Sequence, residues 1–202
     1  MNLVTCGQLA TQPESGIWFR ALQPQFLPTA ISAAHTRTIP SRFNEGRAAQ
    51  PQFEVLYLAE NHLVALFEVQ ALLGTPHTPG SVVPHPRRAW TLINVQVNLA
   101  NVVKLTDVHS QQLLATTAQE LTGDWRGYQI RGSQTSVTRP VGTAPTQELG
   151  QALYQTPNVE GFITLSAKLP DQRALVVFPQ KLQRPRSIHF WNPTTGQSHS
   201  LP

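Results

Sequence analysis

Only one cysteine, Cys6, occurs in the 202 residues, so no intrachain disulfide and no cysteine-built zinc site can form. A lone thiol also fits a reducing cytoplasm. The chain has few charges, 13% of residues, and no apolar run near the roughly 20 residues that cross a bilayer. The opening MNLVTCGQLATQPESG lacks a basic stretch followed by a long apolar core, so neither export nor membrane attachment is expected. Absent too are G-x-G-x-x-G, a GK[ST] phosphate loop and a G-x-S-x-G elbow, the common marks of dinucleotide, nucleotide and serine-hydrolase sites. The seven histidines show neither H-x-H nor H-x₃-H spacing, so metal catalysis is not expected.

Lysine is the other scarcity: three stand against twelve arginines, in a chain of net charge +4. Genome base composition is one source of that bias, and a chemical need for planar, bidentate cations is another. The arginines are scattered, and their longest run is Arg87-Arg88. A stripe gripping nucleic acid is therefore not expected, and a few arginines sharing one pocket fit the pattern better.

Residues 1–15 have no periodicity and read as a loose lead-in. GIWFRAL at 16–22 and FEVLYLA at 53–59 read as strands, separated by an ordered, proline-bearing loop over 23–41. Asn61 is a good N-cap for a helix over 62–73 that Gly74 would end. After a proline-rich loop at 75–88, Ile93, Val95, Val97 and Leu99 alternate with Asn94, Gln96 and Asn98, the strongest period-two signal present. A helix follows over 108–121, capped by Thr106 and Asp107 and stopped by Gly123. Residues 123–145 then read as a mobile lid or surface excursion. A short helix over 146–155, strands at 161–166 and 173–178 with a turn at Pro170-Asp171, and an extended arm over 183–202 complete the chain. Strands toward both ends with helices between them indicate a single α+β domain.

Glu68 is the residue that this pattern makes conspicuous. On a helix over 62–73 it has Val64 and Leu72 four residues to either side, and Leu63, Leu66, Phe67, Ala71 and Leu73 cover most of the remaining surface. A carboxylate among apolar neighbours needs a partner or a purpose. One reading is a buried ion pair with an arginine. The other is a catalytic carboxylate in a cleft, where weak solvation strengthens its hold on a developing positive charge.

Five segments occur in an order that resembles the RES domain: WFRA at 18–21, SRFN at 41–44, LYLAE at 56–60, ALFEV at 65–69 and EGFITLSAK at 160–168. The resemblance spans roughly residues 17–182. It implies an ADP-ribosyltransferase-like mixed sheet core with flanking helices over 16–182. It also implies a bacterial toxin that degrades NAD and is paired with an Xre-like antitoxin. Carried over by position, Glu68, Arg42 and Ser166 are the expected catalytic residues, and Arg20, Arg42, Tyr57 and Ser166 the expected contacts to NAD. Two departures stand out: Ser41 replaces the usual glycine, and the stretch between Arg42 and Tyr57 is longer than usual, which makes Arg47 a competitor for the phosphate contact.

These residue types suit the implied chemistry. Nicotinamide leaves NAD as a good leaving group that needs no protonation, through an oxocarbenium-like state that a carboxylate such as Glu68 stabilises. Arginines can hold the pyrophosphate, Tyr57 can pack on nicotinamide or ribose, and Ser166 can hydrogen-bond a ligand. The expected reaction passes ADP-ribose to inorganic phosphate as co-substrate, or to water, with no prosthetic group. A protein ADP-ribosyltransferase and an inactive RES-like binding module are the alternatives. Assembly as a homodimer or as a toxin–antitoxin hetero-oligomer is compatible with either.

Overall fold

The computed structural model describes residues 1–74, 78, 80–86, 88–130, 142–169, 171–193 and 195–202. The expected turn at Pro170 and the middle of the expected excursion, 131–141, lie outside them. Nine strands and five α-helices are present among the described residues. The strands are β1 (Thr11–Leu22), β2 (Leu56–Ala59), β3 (Leu72–Leu73), β4 (Val83–Pro84), β5 (Thr91–Lys104), β6 (Gly161–Leu165), β7 (Arg173–Val177), β8 (Ile188–Asn192) and β9 (Gln197–Leu201). The helices are α1 (His62–Glu68), α2 (Val108–Leu113), α3 (Ala118–Thr122), α4 (Trp125–Ile130) and α5 (Pro145–Gln155).

The period-two segment forms β5, with Ile93, Val95, Val97 and Leu99 buried and the intervening amides exposed. One edge of β5 pairs antiparallel with β1 from Thr11↔Val103 to Leu22↔Thr91. Its other edge is shared: Gln96 and Val97 pair with β8, and Val102 to Lys104 run parallel to β6. Glu160 sits where β5 passes from one partner to the other. Its fully buried carboxylate accepts the N–H groups of Ala100 at 2.5 Å and Asn101 at 2.9 Å, and of Gln183 at 3.3 Å. β6 continues antiparallel to β7, β7 to β2, and β2 to β1 through Phe19↔Ala59, so five strands close into a ring. Trp18, Leu58, Val95, Val97, Ile163 and Leu175 fill one face of the sheet, and Phe43, Phe53, Leu149, Leu153, Phe162 and Phe178 pack on the other. The mixed sheet with flanking helices is the α+β architecture expected.

Several expectations need correction. The helix expected over 62–73 stops at Glu68. Gln70 adopts φ 59°, its N–H bonds to Phe67 O at 3.0 Å, and the Ala71 N–H reaches Leu66 O at 2.8 Å. That is a Schellman closure with glutamine in the place glycine usually holds. The chain then turns into the β3–β4 hairpin, and Gly74, at φ +107°, lies so close to the Ser81 carbonyl that no side chain fits there. The single helix expected over 108–121 is two helices, because Ala115 takes φ 48° between α2 and α3. The lead-in is not loose: Asn2 N–H bonds Leu114 O at 2.6 Å, Thr5 Oγ1 donates to Leu113 O at 2.9 Å, and Cys6 is buried. Residues 123–145 are not loop throughout, since α4 lies within them. The 183–202 arm is a hairpin, β8 with β9, that extends the sheet and buries Ile188 and Phe190 in the core.

Candidate active site

Helix α1 packs over the ends of β1 and β2, with Val64, Ala65 and Phe67 turned toward Ala21 and Ala59. Asn61 caps it, its side-chain oxygen accepting the Val64 N–H at 3.0 Å. Because the helix ends at Glu68, the apolar neighbours expected at 71–73 are not on its surface, and Glu68 is exposed, contrary to the expected burial. It has no buried arginine partner: neither described salt bridge includes it.

A carboxylate at the carbonyl end of a helix is poorly placed electrostatically, so something must hold it. Ser166, just past β6 and fully buried, does so. Its hydroxyl donates to Glu68 Oε1 at 2.5 Å and accepts the N–H groups of Lys168 and Leu169, each at 3.2 Å. The Ala167 N–H adds a second bond to Oε1 at 3.1 Å. Oε2 has no hydrogen-bond partner among the described residues, and Glu68 is exposed. Ser166 has one hydrogen, which goes to Glu68, and the serine is not among the described residues that line the cleft.

Arg20, Arg42, Tyr57 and Glu68 line one cleft of about 470 Å³. Both arginines are anchored in the same manner. Arg20 Nη1 donates to Ala30 O at 2.9 Å and Ser32 O at 3.4 Å; Arg42 Nη1 donates to Leu121 O at 3.3 Å and to Gly123 O. In each, the Nε and Nη2 edge, the fork that matches two oxygens of a phosphate, has no described partner. Burial pushes the Arg20 pKa down to about 10, and no carboxylate is paired with it among the described residues. Burial also lowers that of Arg42, against the opposing pull of Glu68, Tyr57 and Asp124.

Tyr57 holds the segment that carries Arg42. Its hydroxyl lies 2.9 Å from Ser41 Oγ and accepts the Phe43 N–H at 3.2 Å. Burial raises its pKa, outweighing those two hydrogen bonds. Ser41 is thereby accommodated as the partner of Tyr57. The longer stretch after Arg42 folds away from the cleft: Asn44 is buried, bonds Phe53 O at 2.8 Å, and accepts the Gly46 N–H at 2.7 Å. Arg47 is exposed and outside the cleft. Also lining the cleft are Asp124, Trp125, Arg126, Thr164 and Lys168, none of which the sequence singled out. Arg126 stacks 5.3 Å above the Trp125 ring. The only signal for these was the segment EGFITLSAK, which contains Thr164 and Lys168.

The RES domain matches residues 17–194. This chain belongs to the RES domain family. The match runs beyond the 17–182 expected and takes in β8. No curated protein matches the chain. Among solved structures, the crystal structure of the M.tuberculosis MbcT-MbcA toxin-antitoxin complex is similar, with a TM-score of 0.67 at 19% identity over 99% of this chain and 92% of that one. The likeness is one of fold, and it spans the RES domain together with the terminal hairpin. Among the described residues, no helix is long and apolar enough to cross a membrane.

Proposed function

We propose that this RES domain protein cleaves the bond between nicotinamide and ribose in NAD and passes ADP-ribose to inorganic phosphate. We further propose that it is the toxin of a toxin–antitoxin pair. The observation that carries the reading is the pairing, in one cleft, of an exposed carboxylate pinned by one oxygen with two anchored guanidinium forks that form no salt bridge among the described residues. Arg20 and Arg42 would hold the pyrophosphate through their free edges, placing the nicotinamide ribose against Glu68. As the C–N bond lengthens, its electron pair goes to the nicotinamide ring and positive charge grows on the ribose, where Glu68 Oε2 stabilises it.

The engagement of the other carboxylates supports phosphate as the acceptor. Hydrolysis would profit from a second carboxylate to activate water, yet Glu60 is paired with Arg173 at 2.6 Å and Glu54 with Arg37 at 2.9 Å. Asp124 accepts the N–H of Arg126 at 3.1 Å. Phosphate arrives already nucleophilic, and Arg126 and Lys168 add cations to the cleft that would attract it. The products are then nicotinamide and a phosphorylated ADP-ribose. The same cations suit the carboxylates of an inhibitory protein, and the fold neighbour is itself one half of such a complex. The test is nicotinamide release across a phosphate titration in a phosphate-free buffer, with products identified by mass spectrometry. A rate that rises with phosphate supports the reading; ADP-ribose as sole product at a phosphate-independent rate replaces it with hydrolysis, and no release overturns it.

A further inference from the structure

We propose that Thr164 is the residue that recognises the carboxamide of the leaving nicotinamide, an inference that rests on the cleavage reading above. Thr164 lies on β6 in register with Ala174, which pairs with Ala59, which in turn pairs with Phe19. All four line the cleft, and three of them, Thr164, Ala174 and Ala59, are small, so the floor beside Glu68 is a low row crossing the sheet that ends against the Phe19 ring. Such a row makes a flat shelf on which a planar ring can lie.

At the β6 end of that shelf, Thr164 is 1% exposed and its Oγ1 has no hydrogen-bond partner among the described residues. A buried hydroxyl left unpaired is unfavourable, and a valine would fill the same space in a strand without it. Ser166, two residues on, has committed its hydrogen to Glu68. Thr164 therefore retains what its neighbour has given away: one hydrogen to donate and lone pairs to accept. Two residues of strand separate the two positions by roughly 7 Å. That is about the reach of a pyridine carboxamide from the ribose carbon that bears it. A carboxamide has both a donor and an acceptor, so it satisfies a hydroxyl in either sense. A ring carboxylate in its place lacks the donor and brings an anion onto a buried floor.

The experiment compares wild type, Thr164→Val and Thr164→Ser on NAD and on its nicotinic acid analogue, with thermal unfolding measured alongside. Thr164→Val should keep or raise the melting temperature while lowering kcat/KM for NAD about five- to tenfold. Thr164→Ser should recover most of that loss. The preference of the wild type for the amide over the acid should shrink in the valine variant. An active wild type with an equally active and equally selective Thr164→Val overturns this inference alone. A wild type that releases no nicotinamide overturns the cleavage reading and this inference together.

Discussion

At the scale of single residues, the proposed reaction separates groups that would act from groups that would hold. Glu68 lines the cleft with Oε2 uncommitted among the described residues, whereas Ser166 spends its hydrogen on Oε1. Glu68→Gln keeps an acceptor for Ser166 and Ala167, so the fold should be unchanged while nicotinamide release falls on the order of 100-fold or more. Ser166→Ala should lower kcat less, about tenfold, and should also lower the melting temperature, because the Lys168 and Leu169 N–H groups lose their acceptor. Steady-state rates and thermal unfolding of the two variants check the order; a Ser166→Ala that is the more damaging to kcat would make the serine the chemical group. Arg20 gives a pH signature. An anion binds the charged guanidinium, so affinity for ADP-ribose should be level from pH 7 to 9 and decline as pH rises through about 10. Calorimetric titrations should show that inflection in wild type and lose it in Arg20→Ala.

At the scale of elements, the position of the carboxylate depends on where α1 ends, and that end was not legible. The capping of α1 by Asn61 and the burial pattern of β5 follow from local chemistry that any sequence displays. The stop at Glu68 does not, because the left-handed residue that closes the helix is Gln70, and glutamine carries no preference for that conformation. The break at Ala115 was hidden for the same reason. Arg20, Arg42, Tyr57, Glu68 and Ser166 could be singled out through an ordered set of short segments, not through any period of their own. Trp125 and Arg126 reach the cleft only because Arg42 ties the end of α3 to it, a contact across about 80 residues of sequence that no local pattern records. The strain at Gln70 makes a prediction at this scale. Gln70→Gly should stabilise the protein by about 0.5–1 kcal/mol, because glycine takes a positive φ freely. Urea unfolding measures it; a destabilised variant would mean that the glutamine side chain contributes more than its backbone costs.

For the molecule as a whole, the terminal hairpin belongs to the fold rather than to an appendage. Ile188 and Phe190 share the core with Val95 and Val97, yet no residue of β8 or β9 lines the cleft. Its polar β9, QSHSL, offers little apolar alternation, which is why the segment reads as an arm. A chain ending at Leu182 should therefore fail to fold: losing two large core side chains forfeits roughly 2–5 kcal/mol each, a large share of the 5–15 kcal/mol typical of a domain. Circular dichroism of the truncated chain decides, and a native-like spectrum would return the hairpin to the status of an arm. The closed ring of strands also sets a schedule for the chain as it is made. β1 leaves the ribosome roughly 70 to 90 residues ahead of β5, the strand it pairs with along its whole length. At about 5–20 residues per second, it waits several seconds for that partner. Ser166 emerges later still, so Glu68 has no anchor until most of the chain has been translated. The cleft is consequently completed late, and under the proposed function a nascent chain is chemically silent until most of it has been made.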